Sequence, residues 1–559
     1  MLRSLELENF KAFGSRTRIP FAPITLIFGE NSAGKSTILQ ALNLLKQTRE
    51  SRESGALLLP RTEKGFVDLG SFQELLFDHD LKRTLSIRVE ADMDIRRLYP
   101  SIQKWLREIG EDGIAVELSF ARPSLDEEVQ LQQIQIYMSD SQECIAKFRK
   151  IRAPEYFLRE MSRTVYLQYR HRLSPQQIRA FRCVWATTKP VYWELAFNWS
   201  KENCEEILNN LRQYESEIQK ALEKNENINL GVDDLQREEA MSKEAAEKAL
   251  DIIGKTIQFF SSDYDLEAYI ARMIPNEKRT IMATDGFVPV TSHYPARRRG
   301  TPITEEKILR SPNIQRYRPF ENRSLDVGRI VVTAGNILED ILEKLFPMGP
   351  FRRPPERWYI FTGTTPQDVG YRGDLLPDLL FRKRELVKEA NNWLERLNIG
   401  YKLNVESLGP RSKDLFEVRL VDTRRKKDVD VGLPDVGFGI SQILPFIVQS
   451  LASENQIISI EQPEVHIHPR LQADLGDLLA EAIKKRHNQF IIETHSEHLI
   501  LRLQRLVHEK KIKPTDVSVV YVSRGSDGAR AERLNLDEDG DFEDEWPGGF
   551  FPERLRELR

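Results

Sequence analysis

Cysteine is nearly missing from this chain. Cys144, Cys183 and Cys204 are the only three in 559 residues. They show no metal-ligand spacing and form no even set, so a disulfide scaffold is not expected and a reducing compartment is. No apolar run is long enough to span a bilayer, and no internal repeat or low-complexity linker interrupts the chain. Charge of one sign is not in excess either. The net charge of −4 argues against a uniformly basic nucleic-acid protein but leaves local patches open. The first residues, Met1 to Glu6, read as a strand and lack a signal-peptide core, so the cytoplasm is the expected location. What remains, 40% hydrophobic and 30% charged, is the composition of a globular protein with length for several cores.

Against that background one local pattern stands out. Gly29-Glu30-Asn31-Ser32-Ala33-Gly34-Lys35-Ser36 is a complete G-x-x-x-x-G-K-S phosphate-binding loop. The apolar run Ile24 to Phe28 before it suits a buried strand, and Thr37 to Leu45 after it suits a helix without Gly or Pro. The glycines let backbone N–H groups of Asn31, Ser32, Ala33 and Thr37 turn onto a polyphosphate at a helix N-terminus. Lys35 can reach the β- and γ-phosphates, and the Ser36 hydroxyl can ligate Mg²⁺. The expected ligands are ATP and Mg²⁺.

The chain divides by character into five stretches. Residues 1–90 alternate strand and helix around the phosphate loop, with period-two strands at Leu2 to Leu7 and Leu85 to Glu90. Residues 91–275 carry charged helical patterns at 202–223 and 238–253, which predict a large helical insertion. Residues 276–410 open with arginines among prolines and aromatics, from Arg297-Arg298-Arg299 through Arg352-Arg353 to Arg357. They then return through a helix at 376–397 and a strand at 402–407. Residues 411–505 resume αβ alternation. Residues 506–559 end in a strand and the acidic stretch Asp537 to Glu545. The fold class predicted is α/β, a P-loop NTPase head whose mixed sheet has a parallel core.

Two later strands belong to the same site. Gln456 to Glu461 is an apolar strand ending in a carboxylate, as a Mg²⁺-supporting strand requires. Gln489 to Glu493 is a second apolar strand, followed by Thr494-His495-Ser496. Ligands of open parallel sheets bind beyond the strands' C-terminal ends, so both should converge on the phosphates.

These motifs in order resemble the ABC-type ATPases. They are the phosphate loop, Val436-Gly437-Phe438-Gly439-Ile440-Ser441-Gln442, Glu461-Gln462-Pro463-Glu464 and Glu493-Thr494-His495-Ser496. They look specifically like the AAA15 branch, related to the Rad50/SMC, RecF and OLD ATPases. Glu8 to Phe13 is similar to the element that opens those heads, and Trp546 to Phe551 to the tail of DUF3696-containing ATPases. The resemblance implies a head whose site is completed by a homodimer or higher homo-oligomer. It places Lys35 and Ser36 on phosphates and metal, Glu461 at the metal-supporting acid and His495 at the γ-phosphate switch. It places Gly439, Ser441 and Gln442 in the signature that contacts the partner's γ-phosphate. Gln73 is the candidate for the glutamine loop, with a helix-capping role as the competing reading.

Three positions depart from the family pattern. The signature reads Gly439-Ile440-Ser441-Gln442 rather than S-G-G-Q, and His468 stands at the D-loop aspartate. Gln462 stands where a glutamate normally polarises the attacking water. An amide cannot accept that proton, so either Glu464 substitutes or hydrolysis is slow and ATP mainly holds two heads together. Slow turnover with ATP-gated dimerisation is the expectation.

About 55 residues follow the helix after His495, too few for the Toprim nuclease of the OLD relatives. If cleavage is the output, a nuclease supplied in trans is expected, HNH or Toprim. The arrangement is similar to the Septu and PARIS anti-phage systems. The arginine-rich segment could contact nucleic acid. No membrane is involved on this reading. The alternative is a RecF/Rad50-like repair or chromosome-maintenance ATPase, and a third is a regulatory nucleotide-binding protein with negligible turnover.

Overall fold

The computed structural model describes residues 1–50, 58–62, 65–93, 112–122, 129–139, 333–409, 414–425, 427, 429–547 and 549. It adds three strands between 144 and 283 and a few helical positions between 212 and 250. The chain forms two units. One comprises Met1–Asp94, Asp112–Gln132 and Asn336–Arg559, and the other Ile95–Glu111 and Gln133–Gly335.

The first unit is built on a sheet of β10 (Leu345–Met348), β15 (Ile457–Glu461), β16 (Gln489–Glu493), β3 (Ile24–Gly29), β17 (Val517–Gly525) and β18 (Gly528–Leu534), in that order. All neighbours are parallel except the β17–β18 hairpin. The central strands are apolar throughout because helices cover both faces of a parallel sheet, and β3, β15 and β16 bury nearly every residue. Pro347 is tolerated in β10 because that strand is an edge and needs no further donor. Gln489 stitches the N-terminus to this sheet. Its amide accepts from Leu2 N at 3.0 Å and donates to the Leu2 and Ala22 carbonyls at 2.7 and 3.1 Å.

Seven helices are used below: α1 (Lys35–Glu50), α2 (Phe72–Leu75), α3 (Leu376–Arg382), α4 (Arg384–Arg396), α5 (Phe438–Ala452), α6 (Pro469–Lys485) and α7 (Glu497–His508). Helix α6 carries the crossover between parallel β15 and β16. The core between helices and sheet includes Phe28, Phe446, Phe490, Leu478 and Leu503. The helix expected over 376–397 is two helices, because Lys383 (φ −101°, ψ 80°) leaves helical geometry between α3 and α4.

The same unit carries the antiparallel strands β2 (Thr17–Pro20), β1 (Leu2–Glu8), β4 (Leu85–Asp92) and β5 (Gly113–Ala121). A second antiparallel layer joins β11 (Tyr359–Ile360), β13 (Leu415–Asp422), β12 (Tyr401–Ser407) and β14 (Val429–Gly432). In the second unit, β6 (Gln130–Met138), β7 (Cys144–Ile151), β8 (Val191–Ala196) and β9 (Thr280–Ala283) pair antiparallel in sequence order.

The expected helical insertion over 91–275 therefore contains β5 to β8. Ile114-Ala115-Val116-Glu117-Leu118 is strand sequence, rich in β-branched and apolar residues without helical spacing. Helical positions such as Arg212, Lys220 and Leu250 lie where charged helices are expected, and most of those stretches fall outside the described residues. Arg297 to Arg323 also fall outside them. No helix among the described residues is long and apolar enough to cross a membrane.

Candidate functional site

Strand β3 ends in Gly29, and the chain turns at once because only glycine fits there. Its φ is +141°, and a Cβ would sit 2.0 Å from the Val522 carbonyl oxygen on β17. Gly34 (φ +108°) closes the turn against Ala12, and α1 begins at Lys35. The Ala33 and Thr37 N–H groups bond within the loop to the carbonyls of Glu30 (3.3 Å) and Gly34 (3.1 Å). Arg524 of β17 grips the Ser32 carbonyl at 2.9 and 3.1 Å, and Asn31 lies on the exposed rim. Lys35 is buried and folds back over the loop, donating to the carbonyls of Gly29 (3.0 Å) and Glu30 (2.6 Å). Burial pulls its ammonium below the usual lysine range, opposed by Glu493 and Glu30.

The C-terminal ends of β15 and β16 lie beside this loop. Cross-strand register pairs Glu461 with Glu493, and Glu493 with Ile27 of β3. The Thr494 N–H donates to the Ile27 carbonyl at 3.1 Å, so His495 emerges next to Lys35. Burial and then the Lys35 charge hold the His495 imidazole below its ordinary pKa, which favours the neutral ring. The early lysine and the late histidine thus share one field.

The carboxylates crowd. Burial pushes Glu461 up to about 7; neighbouring Glu493 adds to the shift and Arg352 opposes it. Glu464 is buried and raised by burial. One of its oxygens accepts from His495 N at 2.7 Å, Thr494 also bonds its carboxylate, and Oε2 has no partner. Glu493 is likewise raised by burial, held back by a hydrogen bond from Ser36 and by Lys35. Its Oε2 is also buried and unpartnered.

Glu493 was not among the residues expected to act, although it touches Ser36 directly. A strand ending in Glu is too common to signal this. The only clue in the sequence is that the carboxylate stands two residues before the histidine.

Gln462 takes a left-handed conformation (φ 44°), and its N–H is bonded to the Glu493 carbonyl at 2.7 Å. His468, at the D-loop aspartate position, caps α6 by accepting from Arg470 N at 3.2 Å. In the signature segment α5 starts at Phe438. A Cβ on Gly439 would lie 2.4 Å from the His466 carbonyl oxygen, so the helix start rests on the turn after Glu464. Ser441 and Gln442 are buried within the chain, and the Gln442 amide nitrogen has no partner. Gln73 lies exposed on α2, where its amide donates to the His79 carbonyl at 3.3 Å within its own segment.

This site fits a magnesium-bound nucleoside triphosphate. A glycine-turned loop at a helix start, a buried lysine over it, a hydroxyl and three carboxylates, two of them (Glu464 and Glu493) with an orphaned oxygen, make a cradle for phosphate and a hard cation. Among the described residues no three His, Cys, Asp or Glu groups form a metal cage.

Comparisons with known proteins agree with the motif order. The AAA ATPase domain family model matches residues 1–284 and 376–500, and the DUF3696 family, described as a protein of unknown function, matches 512–559. No curated protein matches. Among solved structures the chain is similar to Smc head domains. That of Pyrococcus furiosus, with an extended coiled coil and bound to the C-terminal domain of ScpA, is 11% identical at a TM-score of 0.35, covering 100% of this chain and 99% of that one. The Smc head with coiled coil and joint from Pyrococcus yayanosii is 11% identical (TM-score 0.34; 96% and 98% covered). The Thermotoga maritima SMC head is 10% identical (TM-score 0.34; 96% and 99% covered). With its family model spanning most of the sequence and the phosphate loop, acidic strand and histidine gathered at one sheet edge, the chain belongs to the AAA ATPase domain family.

Proposed function

We propose that this ATPase is a slow-turnover, ATP-gated switch, in which bound nucleotide joins two copies of the head and hydrolysis releases them. The observation that carries the reading is Gln462 at the water-activating position, with Glu464 already engaged by the His495 N–H at 2.7 Å. The Gln462 amide cannot accept a proton, and Glu464 has one carboxylate oxygen committed to the His495 N–H, so the barrier to hydrolysis stays high while binding is well provided for. With ATP bound, Lys35 and the loop N–H groups would hold the phosphates, and Ser36 and Glu461 would hold Mg²⁺. The metal would neutralise the charge that develops on the phosphates. Neutral His495 senses the γ-phosphate by hydrogen bonding. The segment Gly437 to Gln442 contacts the partner copy's nucleotide.

The switch is a sensor and scaffold in prokaryotic anti-phage defence, holding or releasing an effector nuclease of HNH or Toprim type encoded beside it. This extension rests on the motif resemblance and on the Trp546 tail. Light scattering after gel filtration tests the core of it. Wild type should shift from monomer to dimer with ATP and Mg²⁺, and Lys35→Ala should stay monomeric. An oligomeric state indifferent to both would overturn the reading. Hydrolysis stimulated many-fold by double-stranded DNA, with no co-purifying nuclease, would favour the chromosome-maintenance alternative.

A further inference from the structure

Two cations face the three carboxylates at the strand ends, of which Glu464 and Glu493 are buried and Glu461 partly so, and the phosphate-loop motif names only Lys35. The other is Arg352. Parallel register sets Met348 of β10 opposite Ile460, so the turn after β10 carries Arg352 alongside Glu461. That turn is pinned: Gly349 N donates to the Tyr371 carbonyl at 3.1 Å and Arg353 N to the Arg372 carbonyl at 2.8 Å. Arg352 is only 6% exposed. Its Nη1 donates to the Pro350 carbonyl at 3.0 Å, while Nε and Nη2 are buried with no hydrogen-bond partner. Those two nitrogens form the edge with which arginine makes bidentate contacts.

The guanidinium interacts electrostatically with Glu461 first, then Tyr371 and Glu464, yet it closes no ion pair among the described residues. Glu464 Oε2 is also buried and unpartnered. Unpaired charged edges cost stability in a protein interior, so their retention in the ATP site points to a task there.

We propose that Arg352 is the resident counter-cation of this cluster, a positioning residue that steadies Glu461 and Glu464 and withholds them from a divalent cation until a triphosphate arrives. The inference rests on reading Glu461 as the metal-supporting acid. Three carboxylates against Lys35 and Arg352 leave too little negative charge to hold a bare divalent ion. A triphosphate brings both further charge and oxygen ligands, which tips the balance. Metal binding thereby becomes conditional on nucleotide.

The probe is Mn²⁺ alone, without nucleotide, its free concentration followed by electron paramagnetic resonance on the full chain. Arg352→Met should bind Mn²⁺ about tenfold or more tightly than wild type, whereas Arg352→Lys, which keeps the charge, should stay within about threefold of wild type. Adding Glu461→Gln to Arg352→Met should abolish the gain and so place it at this cluster. The thermal midpoint of Arg352→Met should fall in metal-free buffer and recover with saturating Mn²⁺. If Arg352→Met does not fold, Arg352→Gln carries the same expectation.

The proposal is overturned if the neutral variants bind no tighter than wild type, or if Lys behaves like Met. It also falls if the gain survives Glu461→Gln or Mn²⁺ fails to restore the midpoint, which would make Arg352 a packing residue. No nucleotide is present, so these outcomes stand whether or not ATP drives dimerisation.

Discussion

At Gln462 the main chain is fixed by the sheet, through the bond to the Glu493 carbonyl, so a side-chain change there alters chemistry without moving the backbone. Gln462→Glu is isosteric and, on the proposed reading, puts a proton acceptor at the water-activating position. Turnover at saturating ATP, read by phosphate release, should rise about a hundredfold, the ordinary worth of a positioned general base. An unchanged rate would mean that proton acceptance does not limit hydrolysis.

At this scale the candidate site is unevenly legible in the sequence. Gly29, Gly34, Lys35 and Ser36 were legible because the phosphate loop is contiguous, and its glycines answer to local geometry. Glu493 and Arg352 were not, because each acquires its meaning from a neighbour hundreds of positions away or on another strand. A buried carboxylate and an arginine in a turn are individually unremarkable in a linear string.

Among the elements, the acidic tail takes on a definite role. Trp546 packs edge-on against Phe28 at 5.9 Å, Tyr521 at 5.7 Å and Phe542 at 5.4 Å. Phe28 is the residue immediately before the phosphate loop, so the far end of the chain buttresses the strand that presents it. Trp546→Ala should cost about 2 kcal/mol, less than a fully buried tryptophan because the ring is half-exposed, measured as a shift of denaturant midpoint. ATP affinity should fall with it if the buttress holds β3 in register. Sequence periodicity located β1 and β4, although both are buried almost throughout rather than half-exposed, whereas β13 does alternate in burial. Periodicity did not anticipate β5 to β8, which fall in the stretch over 91–275 read as a helical insertion. Nor did it place the break at Lys383, which no Gly or Pro announces.

For the molecule as a whole, the proposed joining of two heads requires a face that is open in one copy. Gly437, at the start of α5, is such a point: a Cβ there meets nothing within 4 Å, and its φ of −55° suits any residue. Gly437→Glu should leave the unfolding midpoint nearly unchanged, within about 0.5 kcal/mol, as surface changes do. It should nevertheless abolish the ATP-dependent dimer in light scattering, since a carboxylate would face the partner copy's phosphates. A dimer that persists would put the joining face elsewhere.

The placement of β3 between β16 and β17 has a consequence for synthesis. The loop at the end of β3 is made before both strands that flank it, β16 about 460 and β17 about 490 residues later, roughly half a minute to a minute and a half at 5–20 residues per second. Through that interval an apolar segment waits without its partners. Nucleotide competence therefore has to wait until β16 and β17 have both been made.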